Sequence, residues 1–364
     1  MAGRRLLRYV LIALCCFILF LGSDTAGAAF PGRNGLIAFD NNRYGNAEVY
    51  TMTEDGSNST NLTNNPADDT EPAWSPDGTK IAFVSDRSGN TDIWLMDADG
   101  GNPQNLTHDP LDYDSSPAWS PDGSQIAFGK GSRLFVMNAD GSDQRDIGGP
   151  GGGNYNPDWS PDGSLIAFWA GGGEAEIWVI SPGGSGARNV TNSPDTDDFN
   201  PSWSPDGKLI VLETATNGGY EELHIIRPDG TGRASLGTEP GGGDEAPAWS
   251  PDGQRITFNR SGDIFVMNAD GSGRVNLTDS QDNDFHPGWQ PIRTIGDADC
   301  DAGVDAVDAL QALRSVAGLT AHACVLLGNV KCDDGLSSVD ALLILRHVAG
   351  LPVNLPQNCP ELGT

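Results

Sequence analysis

Pro72-Ala73-Trp74-Ser75-Pro76-Asp77-Gly78 is the first of five copies of one phrase, Pro-x-Trp-Ser-Pro-Asp-Gly. The other complete copies are 117–123, 157–163, 201–207 and 247–253, and a shortened sixth copy ends at Pro291. The tryptophans of successive copies are 45, 40, 44, 46 and 40 residues apart. Because one blade of four antiparallel strands takes about 40–45 residues, this period predicts a β-propeller.

Each phrase is followed by apolar runs of strand length. After the first copy these are Ile81-Ala82-Phe83 and Ile93-Trp94-Leu95-Met96, and Asn105-Leu106-Thr107 then supplies a last short strand. The Asp-Gly of the phrase and a second turn at Asp99-Gly100 provide the positive φ that tight hairpins require. The same order recurs in the other copies, so one repeat predicts four antiparallel strands.

The two ends of the array complement each other. Residues 35–63 hold the later three strands of a repeat but lack the phrase, whereas Trp289 lies on a first strand without followers. Joining these ends predicts an all-β ring of six four-stranded blades over residues 33–292, closed by its termini and without free sheet edges. The alternative is an open solenoid, which would leave both ends uncapped.

The first 28 residues have the pattern of a secretory signal peptide. Three arginines among the first eight residues precede an apolar stretch at 9–21, and Ala26-Gly27-Ala28 offers a cleavage site between small residues. The apolar stretch is too short to span a bilayer comfortably. We therefore expect an exported chain, extracellular or periplasmic, without stable membrane insertion.

The composition is strongly acidic, with a formal net charge of −29. Such a surface repels nucleic acid and anionic membranes, and it favours cations or basic partners. Solubility in a saline habitat is an equally good explanation of the same charge.

A different pattern begins after Arg293: residues 296–352 hold two copies of an acidic loop that runs into an apolar helix. Oxygen donors at loop positions 1, 3, 5, 9 and 12, with a main-chain carbonyl at position 7, are how a flexible loop holds Ca²⁺. The predicted ligands are Asp297, Asp299, Asp301, Gly303, Asp305 and Asp308 in the first loop, and Asn329, Asp333, Gly335, Ser337 and Asp340 in the second. Lys331 takes the third position of the second loop, which weakens or abolishes that site unless its side chain turns to solvent. Residues 293–295 are a short linker, and 353–364 form a tail.

Four cysteines accompany these loops and helices: Cys300, Cys324, Cys332 and Cys359. In an exported protein they indicate two disulfides. Two pairings agree with the symmetry of the copies, Cys300 with Cys324 and Cys332 with Cys359, or Cys300 with Cys359 and Cys324 with Cys332. A zinc site is the rival, but the spacing of the cysteines argues against it.

Two family resemblances rest on these residues. The Pro-x-Trp-Ser-Pro-Asp-Gly repeats with their Ile-Ala-Phe strands resemble the TolB-like propeller family over residues 33–292. The doubled loop, followed by Asp-Ala-Leu and a helix ending in Ala-Gly-Leu, resembles a dockerin domain over 296–352, which implies a small α-helical module with two calcium ions that docks to a cohesin. The resemblance implies that the docking contacts are Ala306, Val307, Ser338 and Val339.

The best candidates for a propeller binding site come just before each first strand, because that strand lines the central channel and its entry faces one mouth. They are Asp69, Glu71, Asp114, Asn156, Asn200, Asp244, Glu245, Asp284 and His286, accompanied by Ser116, Asn154 and Asp198. Carboxylates, amides and an imidazole that converge on an axis could hold a metal ion, a basic peptide or a sugar. The alternative is that these groups cap strand ends and bind water, which is ordinary turn chemistry.

Catalysis finds little support in the sequence. The chain has no Gly-x-Ser-x-Gly, His-Glu-x-x-His or phosphate-binding Gly-Lys-Ser motif, and its five histidines are scattered. The repeated tryptophans favour packing between sheets over sugar stacking. We therefore expect a secreted, non-catalytic binding or scaffold protein with calcium-dependent docking. The alternatives are a component of extracellular polysaccharide degradation and a calcium-stabilised structural surface protein.

Overall fold

The computed structural model describes residues 32–42, 45–108, 111–150, 153–171, 174–216, 221–237, 242–279 and 283–292. The predicted signal peptide, linker, dockerin-like module and tail lie outside these residues, and so do the calcium ligands, the docking contacts and all six cysteines. Within the described ranges, no helix is long and apolar enough to cross a membrane.

The described strands form six antiparallel sheets of four strands each. Blade 1 contains β24 (Asp284–Ile292), β1 (Arg33–Asn41), β2 (Glu48–Met52) and β3 (Thr60–Asn61). Blades 2 and 3 contain β4 (Asp69–Trp74), β5 (Lys80–Ser85), β6 (Asp92–Asp97), β7 (Gln104–Asn105), β8 (Asp114–Trp119), β9 (Gln125–Lys130), β10 (Arg133–Asn138) and β11 (Arg145–Gly148). Blades 4 and 5 contain β12 (Asn154–Trp159), β13 (Ile166–Ala170), β14 (Glu176–Ile180), β15 (Arg188–Asn189), β16 (Thr196–Trp203), β17 (Ile210–Thr216), β18 (Glu222–Ile226) and β19 (Ala234–Ser235). Blade 6 contains β20 (Asp244–Trp249), β21 (Arg255–Arg260), β22 (Asp263–Asn268) and β23 (Val275–Asn276).

The ring is closed by pairing the last strand with the first. Strand β24 runs antiparallel to β1, with Arg33 opposite Ile292, Ile37 opposite Trp289 and Asn41 opposite Asp284. Blade 1 is thus assembled from both ends of the array, as the sequence predicts. The six-bladed propeller is confirmed, and the open solenoid is excluded.

The apolar core lies between blades, in six clusters that are each shared by two neighbours. At the seam, Phe39 and Trp289 of blade 1 pack with Ile264 and Val266 of blade 6. Like the clusters between blades joined along the chain, this cluster consists of buried aliphatic and aromatic side chains. Because burial of apolar surface is the main stabilising contribution, the seam is held in the same way as the other interfaces.

The tryptophans of the phrase are packing elements between blades. Trp159 is 3% exposed, and its indole N–H donates to the carbonyl of Ala118 in the preceding blade at 3.1 Å. Trp119 makes the equivalent bond to the carbonyl of Ala73 at 3.3 Å. The interpretation of these residues as packing elements agrees with this geometry.

The Ser-Pro-Asp-Gly turn is held by its own side chains. In blade 2, Asp77 Oδ1 accepts hydrogen bonds from Ser75 Oγ at 2.6 Å and from the N–H of Thr79 at 3.0 Å, and Ser75 Oγ accepts from the N–H of Lys80 at 2.9 Å. Equivalent bonds recur in blades 3 to 6. The repeated phrase is therefore a repeated turn, which fixes where the second strand begins.

One glycine of the seam illustrates how closely the blades approach. Gly56, in the turn between β2 and β3, has φ +81°, and a Cβ there would collide with the carbonyl oxygen of Leu277 in blade 6. Gly100 makes the same close approach to the carbonyl oxygen of Leu62 within the continuous part of the chain. Only glycine satisfies both the backbone conformation and the contact.

Candidate functional site

A bulge in every first strand places one residue of each blade at the channel axis. The pairing of the first strand with the second shifts register around the residue that precedes the proline, for example between Thr70 and Ala73. That residue has a φ of 46° to 52° in all six blades, although a residue before proline ordinarily prefers extended backbone. The six are Glu71, Ser116, Asn156, Asn200, Ala246 and His286, and we name them the channel ring.

The channel ring opens into a cavity of about 230 Å³. The prolines that follow the ring residues form its next wall, and the tryptophans of the phrase lie farthest along the strands. Between them is a layer that we name the small layer, formed by Ala73, Ala118, Asp158, Ser202, Ala248 and Gly288. The cavity thus has a polar mouth and mainly apolar walls.

On one side of the mouth, the ring side chains are joined by hydrogen bonds. Glu71 Oε2 accepts from the N–H of Ser116 at 2.5 Å and from its hydroxyl at 3.0 Å. The same hydroxyl oxygen lies 3.4 Å from Asn156 Oδ1, which also accepts from the indole N–H of Trp169 at 3.3 Å. Three neighbouring blades are linked in this way.

Glu213, on the second strand of blade 5, makes the equivalent link on the other side. Its Oε2 accepts from Asn200 Nδ2 at 2.7 Å and from the N–H of Ala246 at 3.2 Å. Burial raises the pKa of Glu213 to about 7; these two hydrogen bonds act in the opposite direction, and the negative charges of Glu245 and Glu221 add to the rise. Glu213 is therefore close to half-protonated at neutral pH.

His286 is the cationic member of the ring. Its Nδ1 lies 2.8 Å from Asp40 Oδ1, an oxygen that also accepts from the N–H of Glu71 at 3.1 Å. Burial alone would lower the pKa of His286, but the carboxylate of Asp40, with Glu71 and Glu245, raises it to about 9. The imidazole is consequently protonated at neutral pH and paired with Asp40.

Asp158 is the carboxylate of the small layer. Its Oδ2 accepts from the N–H of Trp203 in the next blade at 2.6 Å. Burial raises the pKa of Asp158 to about 7, against the effect of hydrogen bonds from the backbone of Trp203 and Trp159 and from the hydroxyl of Ser202.

The structure divides the predicted channel residues into two groups. Glu71, Asn156, Asn200 and His286 belong to the channel ring and line the cavity, together with Ser116. Glu245 lies beside the ring, where it accepts from Asn259 Nδ2 at 3.3 Å. Asn154 is the first residue of β12.

The aspartates that begin the first strands are enclosed in the blades. Asp69, Asp114, Asp244 and Asp284 are at most 1% exposed, and none of them lines the cavity. Their described partners belong to the blades: Asp69 binds Arg87 at 2.8 Å, Asp244 binds Arg274 and Arg260, and Asp284 accepts from Asn41. Asp198 is the equivalent residue of blade 5 and binds Arg233.

The prediction of ligand groups from the sequence missed four residues at or next to the cavity: Asp40, Asp158, Trp169 and Glu213. Asp158 lies between proline and tryptophan, where three other copies have alanine. Asp40, Trp169 and Glu213 share one position of the second strand, where blades 2 and 3 have Val84 and Gly129. An alignment of the copies that looked for differences, rather than for shared residues, would have revealed both positions.

The arrangement is suited to non-covalent binding. In the part of the chain that the structure describes, no group of three or more His, Cys, Asp or Glu side chains is placed to hold a metal ion. The mouth offers hydrogen-bond acceptors, amides and a surplus of carboxylates over its one imidazolium. Such a site is complementary to a polar or cationic group.

Comparison with known proteins defines the type of propeller. TolB from Acinetobacter baumannii is similar in structure, with a TM-score of 0.63 and 24% sequence identity over 71% of this chain and 67% of that one. The family model for the TolB beta propeller domain matches residues 19–133. The described fold is a six-bladed β-propeller that is similar in structure to TolB.

Two further structures share the architecture of this TolB-like propeller. A chain of a nidogen/laminin complex aligns with a TM-score of 0.60 and 11% identity over 70% of this chain and 98% of that one. A putative TolB from Agrobacterium tumefaciens aligns with a TM-score of 0.50 and 22% identity over 65% of this chain and 98% of that one. No curated protein gives a match to the chain.

Proposed function

We propose that this protein is a non-catalytic binding or scaffold protein whose propeller holds a segment of a protein partner at the channel ring. The cavity of about 230 Å³ behind that ring carries the proposal. Concave sites with apolar walls and a few converging polar groups are where proteins usually bind their ligands. The TolB-like fold is consistent with this role.

The charges at the mouth indicate what kind of partner fits. Asp40, Glu71 and Glu245 lie near one imidazolium, His286, and Glu213 lies near Glu245. The chain as a whole carries a formal charge of −29. A basic partner would be steered toward this surface, and its association rate would fall as salt is added.

A charge placed in the ring tests the proposal. Ala246→Arg puts a long cation into the mouth, and we expect it to reduce partner capture by roughly tenfold or more, because it blocks the cavity and opposes a basic partner. Capture is measured by cross-linking the tagged full-length protein to the exported proteins of its own cells and identifying the products by mass spectrometry.

Gln254→Arg is the matched control for this experiment. It adds the same charge at an exposed turn, at the position where blade 5 already carries Lys208 after the phrase. A partner captured equally by wild type, Ala246→Arg and Gln254→Arg does not use the ring, and that result would contradict the proposal.

We further propose that the chain is exported and that residues 296–352 form a calcium-binding docking module. The support is the signal-like pattern of residues 1–28 and the paired acidic loops of the C-terminal segment. A cohesin-like partner and one of the two symmetric disulfide pairings are parts of the same proposal.

Calcium titration tests the docking module. Asp308→Ala removes the predicted ligand at loop position 12, and we expect it to abolish at least one tight site in calorimetric titration of the full-length chain, because the first loop relies on its carboxylates. Glu361→Ala, which removes a carboxylate from the tail outside both loops, is expected to leave the heats unchanged. Titration curves that are identical for Asp308→Ala and wild type would refute the ligand assignment.

A further inference from the structure

We infer that the cavity behind the channel ring accepts one cationic side chain of the partner, an ammonium or guanidinium on a slender stem, and that Asp158 is its counter-charge. The inference rests on the proposed function, because it names the chemical group by which the partner enters the same site. Three features of the cavity support it: its shape, its charges and the differences between the blades at the position of Asp158.

The shape of the cavity suits an extended side chain. Asp158 follows Asn156 and Pro157 on β12, just past the bulge, and lines the cavity in the layer beyond the channel ring. Two strand residues span at most about 7 Å, which limits how far this layer lies from the ring. The other members of the small layer are Ala, Ala, Ser, Ala and Gly, and the walls above and below are proline and tryptophan. Apolar walls of this length match the methylene stem of lysine or arginine, whose charged end would then reach Asp158.

The charge of Asp158 lacks a cationic partner within the described part of the chain. Its contacts there are the N–H groups of Trp203 and Trp159 and the hydroxyl of Ser202, which are neutral dipoles. Asp158 is partly buried, and a carboxylate that loses hydration without a compensating cation is costly, which the rise in the pKa of Asp158 reflects. A ligand cation at this depth would restore the ionised form.

The other charged groups around the channel favour the same ligand. Glu71, Glu213 and Glu245 lie at or beside the ring and attract a cation toward the mouth. His286 opposes it, but this imidazolium is in blade 1, three blades away from Asp158 around the ring, and is paired with Asp40 at 2.8 Å. The ring residue of blade 4 is the uncharged amide of Asn156, whose Oδ1 accepts from the indole N–H of Trp169.

Comparison of the blades at this position distinguishes a ligand-binding role of Asp158 from a purely structural one. Ser202 Oγ accepts from the N–H of Trp249 at 3.4 Å, as Asp158 Oδ2 accepts from the N–H of Trp203. A hydroxyl therefore occupies the equivalent position in blade 5, and alanine occupies it in blades 2, 3 and 6. Because the blades form without a carboxylate at this position, packing alone does not require Asp158.

The test uses small cations that reproduce the end of a lysine or arginine side chain. n-Butylammonium and n-butylguanidinium chloride are titrated into the full-length protein at pH 8, with n-butanol as the neutral probe, and binding is followed by the fluorescence of the tryptophans that line the cavity. We expect both cations to bind wild type, and Asp158→Asn to weaken them by roughly tenfold or more. Between pH 6 and pH 8 the affinity is expected to rise in wild type and to rise less in Asp158→Asn, where Glu213 still ionises over this range but Asp158 is gone.

Controls keep the result interpretable. Asp158→Ala introduces the residue of blades 2, 3 and 6, so it provides a second variant that is compatible with the fold. Glu54→Gln removes a half-exposed carboxylate from the turn before β3 and is expected to bind the cations as wild type does. Equal affinities of wild type and Asp158→Asn for the butyl cations would overturn the inference. Binding of Ca²⁺ to wild type that is weakened by Asp158→Asn to the same degree would also overturn it.

The two proposals fail in different ways. If the butyl cations do not bind but a partner is captured and then lost in Ala246→Arg, the proposed function stands and the cation pocket is wrong. If the cations bind through Asp158 but no partner depends on the ring, the pocket stands as a small-cation site and the proposed function is wrong.

Discussion

Arg233→Ala is expected to lower the free energy of unfolding by about 3–5 kcal/mol, because it leaves an enclosed carboxylate without its counter-charge. Asp198 is 0% exposed, and Arg233 reaches both of its oxygens, Oδ1 at 2.6 Å and Oδ2 at 2.8 Å. The same guanidinium donates to Thr214 Oγ1 at 2.8 Å and to Ser193 Oγ at 2.5 Å. The substitution therefore removes the donor that serves the carboxylate of Asp198 in the interior of blade 5.

Chemical denaturation at pH 7, followed by circular dichroism, measures the effect. Arg133→Ala is the matched control, because Arg133 and Asp146 form an ion pair at 2.6 Å with side chains that are 71% and 31% exposed. An exposed pair of this kind contributes less than about 1 kcal/mol. Adding Asp198→Asn to Arg233→Ala should recover part of the loss by removing the stranded charge. Equal losses for Arg233→Ala and Arg133→Ala would show that the enclosed pair contributes no more than a surface pair.

These aspartates also explain where prediction from sequence succeeded and where it failed. Asp69 and Glu71 were both predicted at the channel because both precede the tryptophan of a first strand. In a regular strand, residues two apart would also lie on one face. The bulge interrupts that alternation and turns Glu71 alone toward the axis. Which of the two lines the channel depends on a backbone conformation that the pattern of residue types does not encode.

The local sequence pattern also does not predict the partners of the enclosed aspartates. Arg233 is 35 positions from Asp198, and Arg274 is 30 positions from Asp244. Each arginine reaches the first strand only after the blade has folded. By contrast, the number of blades could be predicted, because it follows from local turn residues that recur at a fixed period. The closure of the ring could be predicted because the incomplete repeats at the two ends complement each other.

The stability of the propeller is expected to fall as the pH rises from about 4 to about 9. Asp158 and Glu213 have folded pKa values of about 7, above their ordinary values of 3.8 and 4.5, and His286 has a folded pKa of about 9, above 6.5. In each case the folded state binds protons more tightly than the unfolded state. Stability from such a group is complete below the unfolded pKa and is lost as the pH passes through the folded pKa.

The three groups act in different parts of this range. Asp158 and Glu213 lower stability between about pH 4 and pH 7, and the shift of Glu213 alone corresponds to a loss on the order of 3 kcal/mol. His286 acts between about pH 6.5 and pH 9. The aspartates of the turns, such as Asp55 and Asp122, have lowered pKa values and change stability only in more acidic solution.

Substitution separates these contributions. Glu213→Gln keeps a carbonyl oxygen that can accept from Asn200 and Ala246, and it should flatten the profile between pH 4.5 and pH 7 and raise stability at pH 8. His286→Gln should flatten the profile only above about pH 6.5. Denaturant titrations at pH 5, 7 and 9 measure both effects. A stability that is level or rising from pH 5 to pH 9 in wild type would mean that burial of Asp158 and Glu213 and the carboxylates around His286 do not displace these protonation equilibria. The electrostatic description of the channel would then have to be abandoned.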